Sequence, residues 1–224
     1  MKKLLIFDVN ETLLDLSALD REFERVFGNP SIRSSWFAQV LQNSLVATIT
    51  GKYDDFGKIA GVALDMTAQR QGIELLPEDR SAILSGIRSL PAHGDAGTGL
   101  KQLKEAGFRL FTLTNSPPQV VEAQLKNAGL SEYFENSFSV DAVKRFKPDA
   151  EVYRMTAREL GVPVDQVRLV AAHDWDVAGA LVAGCVAAFI ARPGKVLNPL
   201  MPAPDIVGKD LIEVAAQIIS VDAE

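Results

Sequence analysis

The chain has 224 residues, 47% of them hydrophobic, a formal charge of −6 and one cysteine. That length suits one large domain or a domain carrying an insertion, and the acidic balance argues against a nucleic-acid or acidic-membrane surface. The lone Cys185 excludes an internal disulfide and a multi-cysteine metal site, and no apolar run is long enough to cross a membrane.

In chain order, Lys3–Asp8 reads as a short buried strand that ends on an acid. Its apolar part is too short for a signal peptide, so a cytoplasmic protein is expected. Four helical patterns follow, at Ala18–Phe27, Ile32–Leu45, Tyr53–Gln71 and Pro77–Leu90, punctuated by Gly28-Asn29-Pro30 and Gly51 and with no strand among them. From there helices alternate with strands. The helices are Thr98–Ala106, Pro118–Ala128, Ala150–Leu160 and Val177–Ala183; the strands are Arg109–Thr114, a weaker one near Ser137–Ser139, Gln166–Ala172, Val186–Ala191 and Asp205–Gly208. Gly107, Gly129, Gly161 and Gly184 close those helices. Helix, glycine, strand, repeated, predicts a parallel sheet with crossover helices, and continuous apolar runs predict strands covered on both faces. The expected architecture is α/β: a Rossmann-like parallel sheet core from residues 1–15 and 91–224, with an inserted helical cap over residues 16–90.

In such a sheet ligands bind outside the carboxyl ends of the strands. Three polar clusters fall there: Asp8, Thr114-Asn115-Ser116 and His173-Asp174-Trp175-Asp176. Each has an ordinary structural reading as well. An Asp after a strand is often a turn residue, Thr114–Ser116 can cap the next helix, and Trp175 can be a packing residue. His93 reads as a loop histidine, Met66 and Met155 as core, and Cys185 as an inert buried thiol.

Taken together, Asp8-Val9-Asn10-Glu11-Thr12, Thr114-Asn115, Lys147-Pro148-Asp149 and His173-Asp174-Trp175-Asp176, in that order and with the inserted cap, resemble the haloacid dehalogenase superfamily over essentially the whole chain. The similarity is greatest to the L-2-haloacid dehalogenases. The resemblance implies that Asp8 attacks the halogen-bearing carbon of a small 2-haloacid, giving an ester and free halide with inversion at carbon. It implies that Lys147 keeps Asp8 ionised, that Thr12 and Thr114 orient the carboxylate, and that Asp176 activates or orients the water that cleaves the ester. Asn10, Phe37, Leu41, Asn115, Tyr153, His173 and Trp175 fall at substrate-side positions. No cofactor and no metal are implied, and a homodimer is.

The chain also departs from that family. Asn10 replaces a tyrosine, Ala171 and Ala172 replace two serines, and His173 replaces an asparagine. Phe37 stands where an arginine contacts substrate and leaving group. Backbone N–H groups of Thr114–Ser116 and His173 are therefore the expected donors to the substrate's carboxylate. Two other readings are a Mg²⁺-dependent phosphatase and a catalytically silent small-acid binding protein. The first is weakened because Asn10 and Ala172 stand where its acids belong, although Asp174 offers a substitute ligand. The second is weakened because Asp8, Lys147 and Asp176 are all present.

Overall fold

A computed structural model describes residues 2–222. Four successive apolar residues, all buried, form β1 (Leu4–Phe7). The other strands are β2 (Leu110–Thr114), β3 (Asn136–Ser139), β4 (Val167–Ala171), β5 (Val186–Ile190) and β6 (Ile206–Gly208). They make one parallel sheet in the order β3-β2-β1-β4-β5-β6, with β1 between β2 and β4. The chain builds outward from β1 to β2 and β3, then returns to lay β4 on its other side. The strand order therefore reverses at β1, which is where open α/β sheets bind ligands. β1, β2 and β4 are buried along their whole length, as strands between two helical layers must be.

Between β1 and β2 come α1 (Asp20–Phe27), α2 (Ile32–Thr50), α3 (Phe56–Gln71) and α4 (Pro77–Gly86). They pack against one another, and their buried side chains join the hydrophobic core of the sheet. The Trp36 indole N–H on α2 donates to the Ala60 carbonyl on α3 at 3.0 Å, and its ring lies 5.3 Å from that of Phe23 on α1. Burying a side chain such as Phe23 stabilises this unit by about 1.5–3 kcal/mol. The chain leaves and rejoins the sheet side by side: Asp15 N–H donates to Pro91 O at 2.8 Å and His93 N–H to Leu13 O at 2.9 Å.

The remaining helices are α5 (Ala96–Glu105), α6 (Pro118–Asn127), α7 (Ala150–Glu159), α8 (Asp174–Ala183) and α9 (Leu211–Asp222). Several helices differ from the sequence reading in their bounds, and three cases are informative. Helix α2 runs on to Thr50, where Gly51 turns left-handed at φ 68°. Helix α8 starts at Asp174 rather than Val177, because His173 takes the N-cap position and two acids, Asp174 and Asp176, suit a first turn. Helix α9 was not anticipated, although Leu211, Val214, Ala215 and Ile218 bury one face at helical spacing. It also resolves a charge inside the sheet. Arg168 on β4 is wholly buried, and its guanidinium meets Asp222 at the end of α9 (2.6 Å) and Asp205 just before β6 (2.6 Å).

Candidate active site at the strand ends

Asp8 is the first residue after β1, and its N–H still pairs with Val170 O at 3.1 Å. The sheet therefore fixes its backbone. Its side chain accepts three hydrogen bonds: from Lys147 Nζ to Oδ1 (2.9 Å), and from Thr12 Oγ1 (2.7 Å) and His173 Nδ1 (3.0 Å) to Oδ2. Lys147 Nζ also donates to Asp176 Oδ2 at 2.6 Å, and the Tyr153 hydroxyl donates to Asp176 Oδ1 at 2.5 Å. On the other side, His173 Nε2 meets Glu11 Oε2 at 2.9 Å, and Lys195 Nζ donates to that same oxygen at 2.7 Å. The result is one line of alternating charge, Asp176–Lys147–Asp8–His173–Glu11–Lys195. It runs from a fully buried carboxylate to a lysine side chain 26% exposed.

This line sets the protonation states. Burial alone would raise the pKa of Asp8; the Lys147 ammonium, then the hydrogen bond and charge of His173, outweigh it and hold the carboxyl well below the usual carboxylate range. Burial works against imidazolium at His173, but Asp8 and Glu11 at its two nitrogens push its pKa up to about 9. Glu11 is held down at about 2, since His173 and Lys195 overcome its burial. Burial lifts Asp176 above its ordinary value despite Lys147. Away from the line, burial pushes the Cys185 thiol up to about 12, which makes it unreactive.

A cavity of about 470 Å³ opens beside the line, between α2 and the loops after β1, β4 and β5. Four of the expected substrate-side residues, Phe37, Leu41, His173 and Trp175, line it. The His173 ring is flanked by Trp175 at 4.9 Å and Phe37 at 6.3 Å. Asp8, only 5% exposed, lies behind His173. The other three expected substrate-side residues are not on the cavity wall, and each has a partner elsewhere. Asn10 Oδ1 accepts from Gln124 Nε2 at 2.9 Å, and its amide nitrogen faces Ser116 Oγ at 3.4 Å. Asn115 Oδ1 accepts from the Lys147 N–H at 3.1 Å, which positions the lysine loop, and Tyr153 serves Asp176. Of the two threonines expected to orient Asp8, Thr12 donates to it and Thr114 does not reach it. The Thr114 hydroxyl closes the turn after β2 by accepting from the Ser116 N–H at 3.1 Å. That bond also takes one of the backbone donors expected for the substrate's carboxylate.

Three residues that sequence reasoning passed over shape the cavity: Glu11, Arg33 and Lys195. Two of them had a signal. Arg33 lies one helical turn before Phe37 and so shares its face of α2, and Lys195 follows the end of β5, where a sheet presents ligand groups. Glu11 adopts φ 60°, a left-handed conformation costing a non-glycine residue roughly 1 kcal/mol or more. It turns the chain between Asp8 and Thr12 so that its carboxylate meets His173. Gly179 on α8 allows the lysine loop to approach: a Cβ there would lie 2.4 Å from Pro148 Cβ and 2.8 Å from the Tyr153 hydroxyl. Arg192 braces the nucleophile loop from below, donating to Thr12 O at 2.9 Å and to Asp95 at 2.7 Å.

Each carboxylate oxygen of Asp8 and Asp176 thus accepts at least one hydrogen bond, so a divalent cation would compete with Lys147, Thr12, His173 and Tyr153 for them. What the arrangement offers is an ionised carboxylate in a nearly dry setting, next to a cavity with an imidazolium on its wall. That is the equipment of an oxygen nucleophile with a proton-transfer partner.

Comparison with known proteins points the same way. The family model for haloacid dehalogenase-like hydrolases matches residues 2–184. The chain is 28% identical over 201 residues to an (S)-2-haloacid dehalogenase of Pseudomonas sp. (strain YL), covering 89% of this chain and 87% of that one. It is 30% identical to an (S)-2-haloacid dehalogenase of Xanthobacter autotrophicus, covering 86% and 76%. A solved L-2-haloacid dehalogenase structure from Xanthobacter autotrophicus superposes with a TM-score of 0.92 at 26% identity, over 99% of this chain and 100% of that one. A second, with chloropropionic acid covalently bound, superposes at 0.91 with the same identity and coverage.

Proposed function

Because the chain belongs to the haloacid dehalogenase-like hydrolases, we propose that it converts a small 2-haloacid to the 2-hydroxyacid through an ester on Asp8. The observation that carries this reading is the state of Asp8: ionised, nearly buried, and held by Lys147, Thr12 and His173. An Asp8 oxygen forms a bond to the halogen-bearing carbon as the carbon–halogen bond breaks, and halide leaves with its electron pair. Water then attacks the Asp8 carbonyl carbon, and the acyl–oxygen bond breaks to release the hydroxyacid. Only the first step touches the substrate carbon, so that centre inverts.

Lys147 keeps the nucleophile ionised and stabilises the ester carbonyl as charge develops on it. Asp176 holds Lys147 in place. Activation of water was the role expected of it, but its two oxygens are bonded to Lys147 and Tyr153, and its side chain is fully buried. His173 is better placed. It sits on the cavity wall against Asp8, with Glu11 fixing its far nitrogen. While Asp8 is charged, His173 is an imidazolium and faces the substrate's carboxylate. Ester formation cancels the Asp8 charge, so the imidazolium loses one of its two anionic partners and its proton, the one proton that the overall reaction releases. Neutral His173 then takes one proton from the attacking water, and the water's second proton passes to the departing alkoxide oxygen, which leaves Asp8 ionised beside an imidazolium again. Phe37, Leu41 and Trp175 cover the substrate's apolar side.

The same reading treats residues 16–90 as a cap on a core of residues 1–15 and 91–224, in a cytoplasmic homodimer. The side chains of Val46, Ile49 and Val62, exposed on α2 and α3, support the dimer. The test is a single turnover of 2-chloropropionate in ¹⁸O-labelled water. Label enters Asp8 before it enters the product; label in the hydroxyacid on the first turnover rejects the ester.

A further inference from the structure

The cavity wall carries three cationic side chains, His173, Arg33 and Lys195, against two carboxylates, Glu11 and Asp174. Arg33 on α2 and Lys195 in the loop after β5 both line it, and both keep unused hydrogen-bond donors. Arg33 spends Nε on Asp20 at 2.5 Å, while its nearest terminal nitrogen lies 3.9 Å from Glu11, beyond hydrogen-bond reach. Its terminal nitrogens have no hydrogen-bond partner among the described residues. Lys195 gives one of its three protons to Glu11. Two cations from separate elements therefore bring spare donors to the wall of one cavity.

Their distance from the nucleophile decides what they hold. An imidazole ring and a single Glu11 oxygen separate Asp8 from Lys195, so the two ends lie at most about 11 Å apart when hydrogen bonds and ring width are laid end to end. A carbon under attack must sit about 3–3.5 Å from an Asp8 oxygen. Its own adjacent carboxylate, with oxygens about 2.4 Å from that carbon, meets Lys195 only when fully extended toward it. A second anionic group reaches the cations if it stands roughly 5 Å further out, about four carbon–carbon bonds of ~1.5 Å in zigzag. Phe37, Leu41, Trp175 and Val196 give the methylenes between them an apolar wall, and the volume of about 470 Å³ leaves room for such a chain.

Resting on the dehalogenase reading above, we propose that Arg33 and Lys195 form a distal anion site, and that the preferred substrates are 2-halogenated dicarboxylic acids of five or six carbons. The near carboxylate faces His173, and the far one bridges Arg33 and Lys195 alongside Glu11. Leaving a carboxylate unpaired in so sheltered a place is costly, and the two cations remove that cost for a diacid only.

The experiment compares bromide release from 2-bromoadipate and 2-bromohexanoate, which differ at the far end only in carboxylate against methyl. The wild-type protein favours the diacid in kcat/KM by at least about tenfold, with the ratio falling as salt rises. In the Arg33→Met, Lys195→Met double variant the ratio collapses toward one, chiefly through KM. The ratio cancels any influence that Lys195 exerts on His173 through Glu11. A wild-type protein without preference for the diacid overturns the proposal, as does a ratio that survives in the double variant. A wild-type preference insensitive to salt does so as well, without needing any variant to fold. Absence of bromide from every 2-bromoacid, 2-bromopropionate included, instead rejects the dehalogenase reading itself.

Discussion

Raising the pH should strip stability from this protein through one imidazole. Burial works against the imidazolium form of His173, but Asp8 at 3.0 Å and Glu11 at 2.9 Å hold its proton up to a pKa of about 9, against about 6.5 in an unfolded chain. A shift of that size corresponds to about 3 kcal/mol at 1.36 kcal/mol per unit. The folded state binds this proton more tightly, so the contribution is fully present below pH 6.5. It declines as pH rises from there and is gone once pH passes 9. Urea unfolding of wild type and His173→Gln at pH 6, 8 and 10 isolates it, because the titrations common to both proteins cancel. The stability gap narrows by about 3 kcal/mol across that range, equivalent to roughly 6–12 °C in Tm for a chain of this size. Nuclear magnetic resonance reads the cause directly, since His93 and His173 are the only histidines. His93 titrates below its ordinary value because of burial and the nearby Arg192, and His173 titrates well above it. A gap that does not change with pH, or two imidazoles that both titrate near or below 6.5, would refute the account of the charged line.

Other outcomes follow from the same geometry. Lys147→Met leaves Asp8 and Asp176 facing each other with no cation between them, so it should cost about 3–5 kcal/mol of stability at pH 7 in urea unfolding and abolish halide release. Gly179→Ala drives a methyl into Pro148 and the Tyr153 hydroxyl; it should destabilise the fold by about 1–3 kcal/mol and lower kcat, because Lys147 sits on the displaced loop. Halide release should survive dialysis against EDTA unchanged, since Lys147 supplies the positive charge between Asp8 and Asp176. A loss reversed by Mg²⁺ would favour the phosphatase reading.

The sheet was legible because its strands are covered on both faces. Continuous apolar runs such as Leu4–Phe7 leave few alternatives once glycines mark the helix ends between them. Helix α9 was readable from its spacing, yet its tie to Arg168 was not, because an arginine inside an apolar run gives no hint of the distant Asp222 that neutralises it. At the site, Asp8, His173 and Asp176 could be placed at strand ends and Thr12 and Lys147 through the family resemblance, and their side chains meet. Roles that depend on where an amide or hydroxyl points were less accessible. Thr114 and Asn115 stand at the right strand end, but their oxygens are taken by local turn and loop bonds. Asn10 is claimed by Gln124, over a hundred positions away in the chain. Glu11 escaped notice because its importance lies in a left-handed backbone that sequence does not display.

The stacking of Trp175 on His173, at 4.9 Å and 25° between ring planes, gives the molecule an optical property. An excited indole passes an electron readily to a neighbouring imidazolium and poorly to a neutral imidazole. Trp175 should therefore be dim whenever His173 carries its proton and bright once that proton leaves. The only other tryptophan, Trp36, is sealed inside the helical unit with its N–H on Ala60, and supplies a steady background. Emission from the unmodified protein then follows the charge beside Asp8 in real time. Within a single turnover the signal should rise as the ester forms and fall as it is cleaved, without a chromogenic substrate or an attached dye.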